Sequence, residues 1–409
     1  MAQRLSCSDP TNQVTAEQVR ALTVEVLTTH FPLGVVGYRY TDTDLFNLLV
    51  AAAAEQRSLE SAARQFTTAP SANLVRHYLD TRLFAPLEIG ELEARANALL
   101  TERRPADLTR HPLRVAMDFT LLPYYGDYAE EPEELRRGPA KAGTTRFHAY
   151  ATAYVVRAGR RLTLALAFVY ADDSLLDIVA ELLARLDTLG VRLRRLLLDR
   201  EFATVAVLRF LDGQPFTSIV ALPKRGAALK AELCGRSSRR SRYSMHSAED
   251  GELTFPLWVA VRYAAGRRGQ HAREYLPFAV VGRTPCELTV RQVADEYRGR
   301  FGIESSYRLL HQGLARTSSR DPWLRLLLVS VGLLLTNRWV CLKATLLAST
   351  PRAERAAARA WLDQSFRLDR LRDLLIEAIK ASYRVHTALA YPFPLSPSFR
   401  LGGGEIGKY

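Results

Sequence analysis

The chain has 409 residues, of which 48% are apolar and 24% are charged, a composition typical of a folded globular protein and not of a disordered or fibrous one. Its balance is basic, because 56 lysines and arginines face 43 aspartates and glutamates, which gives a formal net charge of +13. Such a balance favours a polyanionic partner, with nucleic acid before membrane. The four cysteines include no Cys-x-x-Cys pair, which argues against a disulfide scaffold or a structural zinc site.

No membrane role is expected, because the longest apolar run, residues 326–335, is too short to span a bilayer. The first thirty residues also lack the positive start and apolar core of a signal peptide. We therefore expect a soluble intracellular protein.

The first part of the chain, residues 1–105, has helical periodicity. Helices are predicted over residues 16–29, 42–56, 58–66 and 71–83. The last two resemble a helix-turn-helix unit, whose second helix would present Asn73, Arg76 and His77 to DNA. The alternative is an ordinary helical hairpin, which the net charge of −2 in residues 1–105 favours.

Residues 106–222 follow a different pattern. Runs rich in Val, Tyr, Phe and Thr predict strands over residues 114–123, 147–157 and 162–170. A helix over 174–189, a strand over 192–199, a helix over 203–211 and a strand over 216–222 follow. Three consecutive strands and then an alternation of helix and strand predict an α/β fold with a mixed sheet.

The pattern breaks in residues 223–283, which carry a net charge of +7. Two strand-like runs, residues 253–264 and 275–281, are joined through glycines at 266 and 269, which indicates a β-hairpin insertion. In residues 284–350, Thr289 and Gln292 form a capping box that opens a helix to about residue 311. A buried helix over 322–347, with Asn337 and Arg338 facing outward, is expected next, and residues 351–409 should form a further helix and a loose tail.

Two aspartates occupy positions where a strand core would place an apolar residue. Asp118 interrupts the apolar run 115–122, and Asp199 ends the run 196–198. Burying a lone carboxylate is costly unless it is paired or bound to a cation. Each aspartate taken alone is typical of a residue that caps a turn at a strand end. Two such residues on neighbouring strands would make a cation site.

A third acidic residue belongs to a polar stripe on the capped helix. The members of the stripe recur three or four residues apart and share one helix face: Tyr297, Arg300, Glu304, Arg308 and His311. The alternative interpretation is a solvated stripe held by Arg–Glu pairs. Gly299 and Gly302 weaken the helix, which is unexpected unless something approaches it closely.

The ordered set Asp118, Asp199 and Glu304 resembles the DDE transposases of bacterial and archaeal insertion sequences, in particular the cut-and-paste group with a Tyr-Arg-Glu-Lys signature. The intervals are 81 and 105 residues, and Tyr297-x-x-Arg300-x-x-x-Glu304 matches the signature. In that group the second interval holds a β-rich insertion, in the place of residues 223–283. One position departs from the pattern, because residue 311 is histidine where the signature has lysine.

The resemblance implies an RNase H-like catalytic domain that cleaves DNA at the ends of the element and transfers the 3′ ends into target DNA. It implies two Mg²⁺ (or Mn²⁺) ions held by Asp118, Asp199 and Glu304, with Asp118 bridging both ions. Arg300 would contact the scissile or a neighbouring phosphate, and Tyr297 would contact the DNA backbone or a displaced base. The implied partners are double-stranded DNA and a second copy of the chain, in a prokaryotic cytoplasm near the nucleoid.

Further DNA contacts are expected around this site. Arg308 or His311 would replace the signature lysine, and Lys224 and Arg225 open the basic insertion. In similar enzymes a tryptophan of the insertion stacks on a flipped base, and Trp258 takes that place here, although a core tryptophan is the alternative. Because the positive charge collects in the insertion and after it, we expect DNA to lie across the insertion and the catalytic face.

Three other functions remain open at this point, one of which is a protein scaffold with no nucleic-acid role. A hydrolytic nuclease of the same fold would cut DNA without joining it. A DNA-binding descendant that has lost catalysis would bind DNA only.

Overall fold

A mixed β-sheet of nine strands crosses the described part of the chain. The structure is a computed structural model that describes residues 13–102, 104–105, 108–126, 133–156, 161–263, 273–283 and 288–385. The strands are β1 (Leu113–Pro123), β2 (Arg136–Lys141), β3 (Thr144–Val155), β4 (Thr163–Val169), β5 (Leu193–Leu198), β6 (Thr217–Ala221), β7 (Arg239–Ser247), β8 (Gly251–Tyr263) and β9 (Arg273–Gly282).

Helices surround this sheet on both faces. They are α1 (Ala16–His30), α2 (Asp42–Glu55), α3 (Leu59–Ala63), α4 (Ala72–Tyr78), α5 (Ile89–Thr101), α6 (Leu175–Thr188), α7 (Val205–Asp212), α8 (Ala227–Glu232), α9 (Val290–Arg298), α10 (Gly302–Gln312), α11 (Pro322–Ser349), α12 (Arg355–Ser365) and α13 (Leu368–Ser382). Most of them begin where the sequence signals a cap; Thr289, for example, accepts from the Gln292 N–H in the predicted capping box.

The first six strands have the connectivity of an RNase H-like fold, which confirms the predicted fold class. β3 pairs antiparallel with β1 and β4, while β1, β5 and β6 run parallel to one another. α6 links β4 to β5 and α7 links β5 to β6, and both helices pack on one face of the sheet. Parallel strands need such crossover helices, and the alternation of helix and strand in residues 174–222 therefore predicted this half of the sheet correctly.

The insertion extends the same sheet. β9 pairs antiparallel with β6, and β8 and β7 follow in order. β8 and β9 confirm the two predicted strands, whereas the turn expected at residues 266–269 lies outside the described residues. β7 is not among the strands predicted from the sequence, because its basic residues, such as Arg240 and Arg242, show no apolar alternation.

The helices from the two ends of the chain share one apolar core. Leu27 of α1, Leu48 of α2 and Leu375 of α13 are all buried in it, and α5 and α11 complete the layer. Tyr383 reinforces the contact, since its hydroxyl donates to the Asp44 carboxylate at 2.8 Å. This layer covers β3 and β4 on the face of the sheet opposite α6 and α7.

α11 is the one helix among the described residues that is long and apolar enough to cross a membrane, and 78% of its apolar window is buried inside the protein. It therefore packs as a core helix, as predicted. The expectation that Asn337 and Arg338 face outward is wrong, because their exposed fractions are 4% and 5%. Asn337 donates to the backbone oxygens of Leu100 and Thr163, and these bonds satisfy a buried amide.

α3 and α4 occupy the positions of the predicted helix-turn-helix, but both are short. Asn73 and His77 are exposed on α4, while the Arg76 guanidinium forms an ion pair with Glu60 of α3. A π-helical turn, Leu79–Phe84, continues α4.

Candidate active site

Asp118 and Asp199 meet at the carboxyl ends of two neighbouring strands. β1 and β5 are parallel, and Met117 lies opposite Leu198, so that each aspartate directly follows a paired position. Side chains alternate across a strand, which places both carboxylates on the face that carries Ala116 and Leu197. The two strands are therefore neighbours, the arrangement that a shared cation site would require.

A buried arginine holds the two carboxylates together. The Arg300 guanidinium lies with Nη1 2.9 Å from Oδ2 of Asp118 and with Nη2 3.6 Å from Oδ2 of Asp199. Its side chain is only 5% exposed, against 18% and 31% for the two aspartates. The sequence resemblance implies a contact between Arg300 and a DNA phosphate, whereas in the structure Arg300 lies on the acidic pair.

The local electrostatics of Asp118 are set by burial. Desolvation raises its pKa to about 6, although Arg300 and a hydrogen bond from the Phe119 N–H act in the opposite direction. The nearby charge of Asp199 adds to the increase. A carboxyl of this kind gains from any further cation that neutralises it.

The polar stripe is carried by two helices instead of one. α9 ends at Arg298, a 3₁₀ turn covers Gly299–Phe301, and α10 begins at Gly302. A Cβ on Gly299 would lie 2.8 Å from Cγ1 of Val156, at the end of β3, so that the chain passes close to the sheet here. The close approach inferred from the glycines is thus present at Gly299.

The stripe is buried at one end and exposed at the other. Tyr297 and Arg300 have exposed fractions of 8% and 4%, which excludes a solvated stripe for these two residues. The Tyr297 hydroxyl donates to Oδ1 of Asp199 over 3.5 Å, and burial raises the pKa of Tyr297. Arg308 and His311 are exposed on α10, where desolvation and the charge of Lys141 lower the pKa of His311. Glu304 lies on α10 between these two ends, but its side chain lies outside what the structure describes.

Tyr307 is a site residue that the sequence analysis missed. Its hydroxyl donates to the backbone oxygen of Asp118 at 2.7 Å and lies 2.8 Å from Oγ1 of Thr152 on β3. Tyr307 follows Arg300 by seven residues, two helical turns, so the same spacing that defined the stripe includes it. It ties α10 to the strand that carries Asp118.

Trp258 lies in the core instead of on the surface. Its exposed fraction is 2%, and the Arg240 guanidinium covers the ring at 4.0 Å from its centroid. The neighbouring side chains of Phe278 and Val293 belong to the same buried cluster. The ring therefore has no free face for a base in this structure, and the core alternative describes it.

Lys224 and Arg225 are exposed directly after β6. β6 is parallel to β5 and pairs Val220 with Leu198, so that these cations follow the strand at the same end of the sheet as Asp199. The distribution agrees with a positively charged rim around an acidic centre.

The donor set of the site suits a hard divalent cation. Two carboxylates converge on one position between the strand ends, and the Arg300 guanidinium already supplies one positive charge there. Oxygen ligands of this kind suit Mg²⁺, which keeps several waters and needs few protein carboxylates. Among the described residues no group of three acidic, histidine or cysteine side chains could hold a metal ion, and the third ligand that the sequence resemblance implies is Glu304.

Comparison with known protein families decides the class. The sequence pattern of the transposase DDE domain matches residues 110–337, more than half of the chain and the segment that carries Asp118, Asp199 and α10. The chain belongs to the transposase DDE domain family. No curated protein matches it in sequence. Membership in this DDE family identifies the protein as a transposase in the broad sense, an enzyme class that cuts and transfers DNA.

A solved structure supports the fold of this DDE domain protein. The chain is similar to piggyBac transposase, seen by cryo-EM in a synaptic complex with hairpin DNA, with a TM-score of 0.55 and 10% sequence identity. The similarity covers 91% of this chain and 81% of the piggyBac chain. At this identity the likeness concerns the fold.

Proposed function

We propose that this DDE transposase cleaves DNA at the ends of an insertion sequence of the cut-and-paste group and joins the 3′ ends to target DNA. One observation carries the proposal. Asp118 and Asp199 are 81 residues apart in the sequence, yet both carboxylates lie against the buried Arg300 guanidinium at the ends of adjacent parallel strands. An acidic pair at the carboxyl ends of strands is costly unless it serves to bind positive charge.

In the proposed site, Asp118, Asp199 and Glu304 hold two Mg²⁺ or Mn²⁺ ions. Bound there, the ions would activate a water or 3′-hydroxyl and neutralise charge on the leaving oxygen. Tyr297 and Tyr307 orient the aspartates through hydrogen bonds to the Asp199 carboxylate and the Asp118 backbone. Arg300 is then placed to balance the charge of the acidic pair as DNA phosphate arrives.

The exposed cations around the acidic centre give the DNA a path. Lys224 and Arg225 follow β6 and Arg308 lies on α10, so that a duplex across this end of the sheet meets positive charge on both sides. His311 on α10 would contact the DNA as an uncharged hydrogen-bonding group, because its pKa is lowered. Holding two element ends at once needs two catalytic chains, and we propose a homodimer in the DNA complex, which light scattering of protein mixed with element-end DNA would test.

The proposal is tested with the full chain, a labelled duplex that carries the element end, and a supercoiled target, in Mg²⁺. The unchanged protein should cleave the end and yield products joined to the target. Asp199→Asn should lose both reactions, because it removes one of the two described carboxylates. Asp187→Asn, an exposed substitution on α6 with the same change in charge, should keep both.

Two results would change the conclusion. Nicks without joined products would identify a hydrolytic nuclease of the same fold. DNA binding with no metal-dependent cleavage in either variant or in the unchanged protein would identify a non-catalytic DNA-binding protein.

A further inference from the structure

A cavity lies beyond the acidic centre at the end of β1, and His311 is the one residue of its lining that the function proposed above uses. It has a volume of about 700 Å³ and lies where the end of β1, the segment between α10 and α11 and the end of α2 come together. Leu122 on its wall follows Asp118 by four residues on β1, which corresponds to about 13 Å along the strand. His311, at the end of α10, also lines it.

The cavity has a cationic rim and an apolar floor. Arg316 and Arg320 are exposed at its edge, and none of the described residues that line it is acidic. Leu314 and Leu328 provide apolar surface, and Tyr125, which is 59% exposed, adds an aromatic ring. This combination suits a ligand with both negative charge and flat apolar faces.

Hydrogen bonds hold the walls of the cavity in place. The Arg316 N–H donates to the Arg57 oxygen at 3.0 Å, and the Gln56 side chain donates to the His311 oxygen at 2.6 Å. Buried Arg325 donates to the backbone oxygens of Ser319 and Pro123 at 2.7 and 2.8 Å. These bonds fix the α10–α11 segment between α2 and β1, so that the cavity exists without a ligand.

Gln56 itself adopts a left-handed conformation with a φ of 54°. This conformation is common where a helix ends, and Gln56 is the C-cap of α2, where its N–H donates to the backbone oxygens of Ala52 and Ala53. The Gln56 side chain reaches across to α10, which links the end of α2 to the wall of the cavity.

We propose that this cavity binds an unpaired segment of DNA, one or two nucleotides long, that passes out of the acidic centre. Pockets of about 300–1,000 Å³ hold ligands of this size, whereas a duplex is too wide to enter one. Arginine forks pair with phosphate, and unstacked bases pack on aromatic and apolar side chains. The inference depends on the proposed function only in that the acidic centre is where DNA is cut.

Fluorescence anisotropy in EDTA tests the inference without any cleavage. Two labelled duplexes of equal length are compared, one blunt and one with four unpaired nucleotides at one end. The unchanged protein should bind the second duplex more tightly. Arg316→Ala combined with Arg320→Ala should weaken binding of the extended duplex about tenfold or more, since charge-assisted hydrogen bonds to phosphate are lost. The negative slope of log affinity against log salt concentration should become shallower by about 1.4.

The control removes the same charge elsewhere. Arg352→Ala combined with Arg359→Ala changes two exposed arginines near α12 and should keep the preference for the unpaired end. Equal losses in the two double variants would overturn the inference, because they would reflect net charge alone. Thermal unfolding of each variant confirms that the fold is intact before binding is compared.

Photocrosslinking locates the strand. With 5-iododeoxyuridine in the unpaired segment, crosslinks should map to Tyr125 or His311, and crosslinks confined to the insertion would overturn the inference. Because neither measurement needs catalysis, a protein that fails to cleave can still bind as expected here. Conversely, normal cleavage with no preference for the unpaired end would contradict this inference and leave the proposed function standing.

Discussion

Arg300 lies 2.9 Å from the Asp118 carboxylate and links it to Asp199 while remaining almost fully buried. Truncating one member of a buried ion pair leaves uncompensated charge and costs about 3–5 kcal/mol. In the absence of divalent cations, Arg300→Gln should therefore lower the free energy of unfolding by about that amount, measured by urea denaturation in EDTA.

Added Mn²⁺ should reduce this deficit, because a cation and the guanidinium serve the same carboxylates. The unfolding midpoint should rise more in Arg300→Gln than in the unchanged protein. Arg298→Gln is the control: Arg298 pairs with Asp295 on the surface, and its loss should cost less than about 1 kcal/mol. Equal Mn²⁺ shifts in all three proteins would show that the cation does not replace the Arg300 guanidinium at the acidic pair.

Tyr307 should act as a positioning residue for Asp118. Since its hydroxyl proton goes to the Asp118 oxygen, Thr152 donates to Tyr307, and Tyr307→Phe removes both bonds. We expect a loss of about 1–3 kcal/mol in unfolding free energy and slower DNA cleavage, with the aromatic packing retained.

A double-mutant cycle separates this role from general destabilisation. Combining Tyr307→Phe with Thr152→Val should cost less than the sum of the single changes, because the two residues share a hydrogen bond. Tyr263→Phe removes an exposed bond to Arg236 and should leave cleavage unchanged. Full cleavage by Tyr307→Phe would contradict the positioning role.

The sequence singles out Asp118 and Asp199 because one interrupts an apolar run and the other ends one. Their proximity depends on the parallel pairing of β1 with β5, which local patterns do not reveal. The sequence predicted the stripe residues from helical spacing, but that spacing assumes one straight helix. The 3₁₀ turn at Gly299 depends on contact with Val156 of a strand about 140 residues earlier, which no local pattern reveals.

The burial of individual side chains is also not predicted by local sequence patterns. Trp258, Tyr297 and Arg300 are residue types that often contact DNA, but tertiary packing buries all three side chains in the protein. β7 shows the converse. Its side chains are exposed or half-buried, so its sequence lacks the apolar alternation by which a strand is predicted.

Gly299 and Gly302 form a natural pair for testing the close approach. Alanine at 299 would place Cβ 2.8 Å from Val156, whereas alanine at 302 would meet Arg161 no closer than 3.5 Å. Gly299→Ala should destabilise the protein by about 1–3 kcal/mol. Gly302→Ala should be neutral or stabilising by up to about 1 kcal/mol, since alanine favours helix.

Thermal and urea unfolding of both variants measures the difference. Val156→Ala combined with Gly299→Ala removes the clashing methyl group and should restore part of the loss caused by Gly299→Ala alone. If Gly299→Ala proves as stable as Gly302→Ala, the helix does not approach β3 in the way described.

His148 should make the stability of the protein sensitive to acid. It is 2% exposed on β3, and burial together with the positive charge of Arg325 lowers its pKa to about 3. The unfolded chain takes up a proton below about pH 6.5, whereas the folded chain does not do so until about pH 3. The contribution of His148 to the free energy of unfolding is therefore fully present above about pH 6.5 and falls by about 3 kcal/mol between pH 7 and pH 4.

Two substitutions isolate this effect from that of other titrating groups. His148→Phe fits between the rings of Tyr124 and Phe168, and His148→Gln keeps a polar side chain; neither titrates. Relative to the unchanged protein, both variants should gain about 3 kcal/mol of unfolding free energy as the pH falls from 7 to 4, whatever their stability at pH 7. Urea denaturation across this range measures the gain, and a difference that stays constant with pH would mean that His148 is protonated in the folded protein.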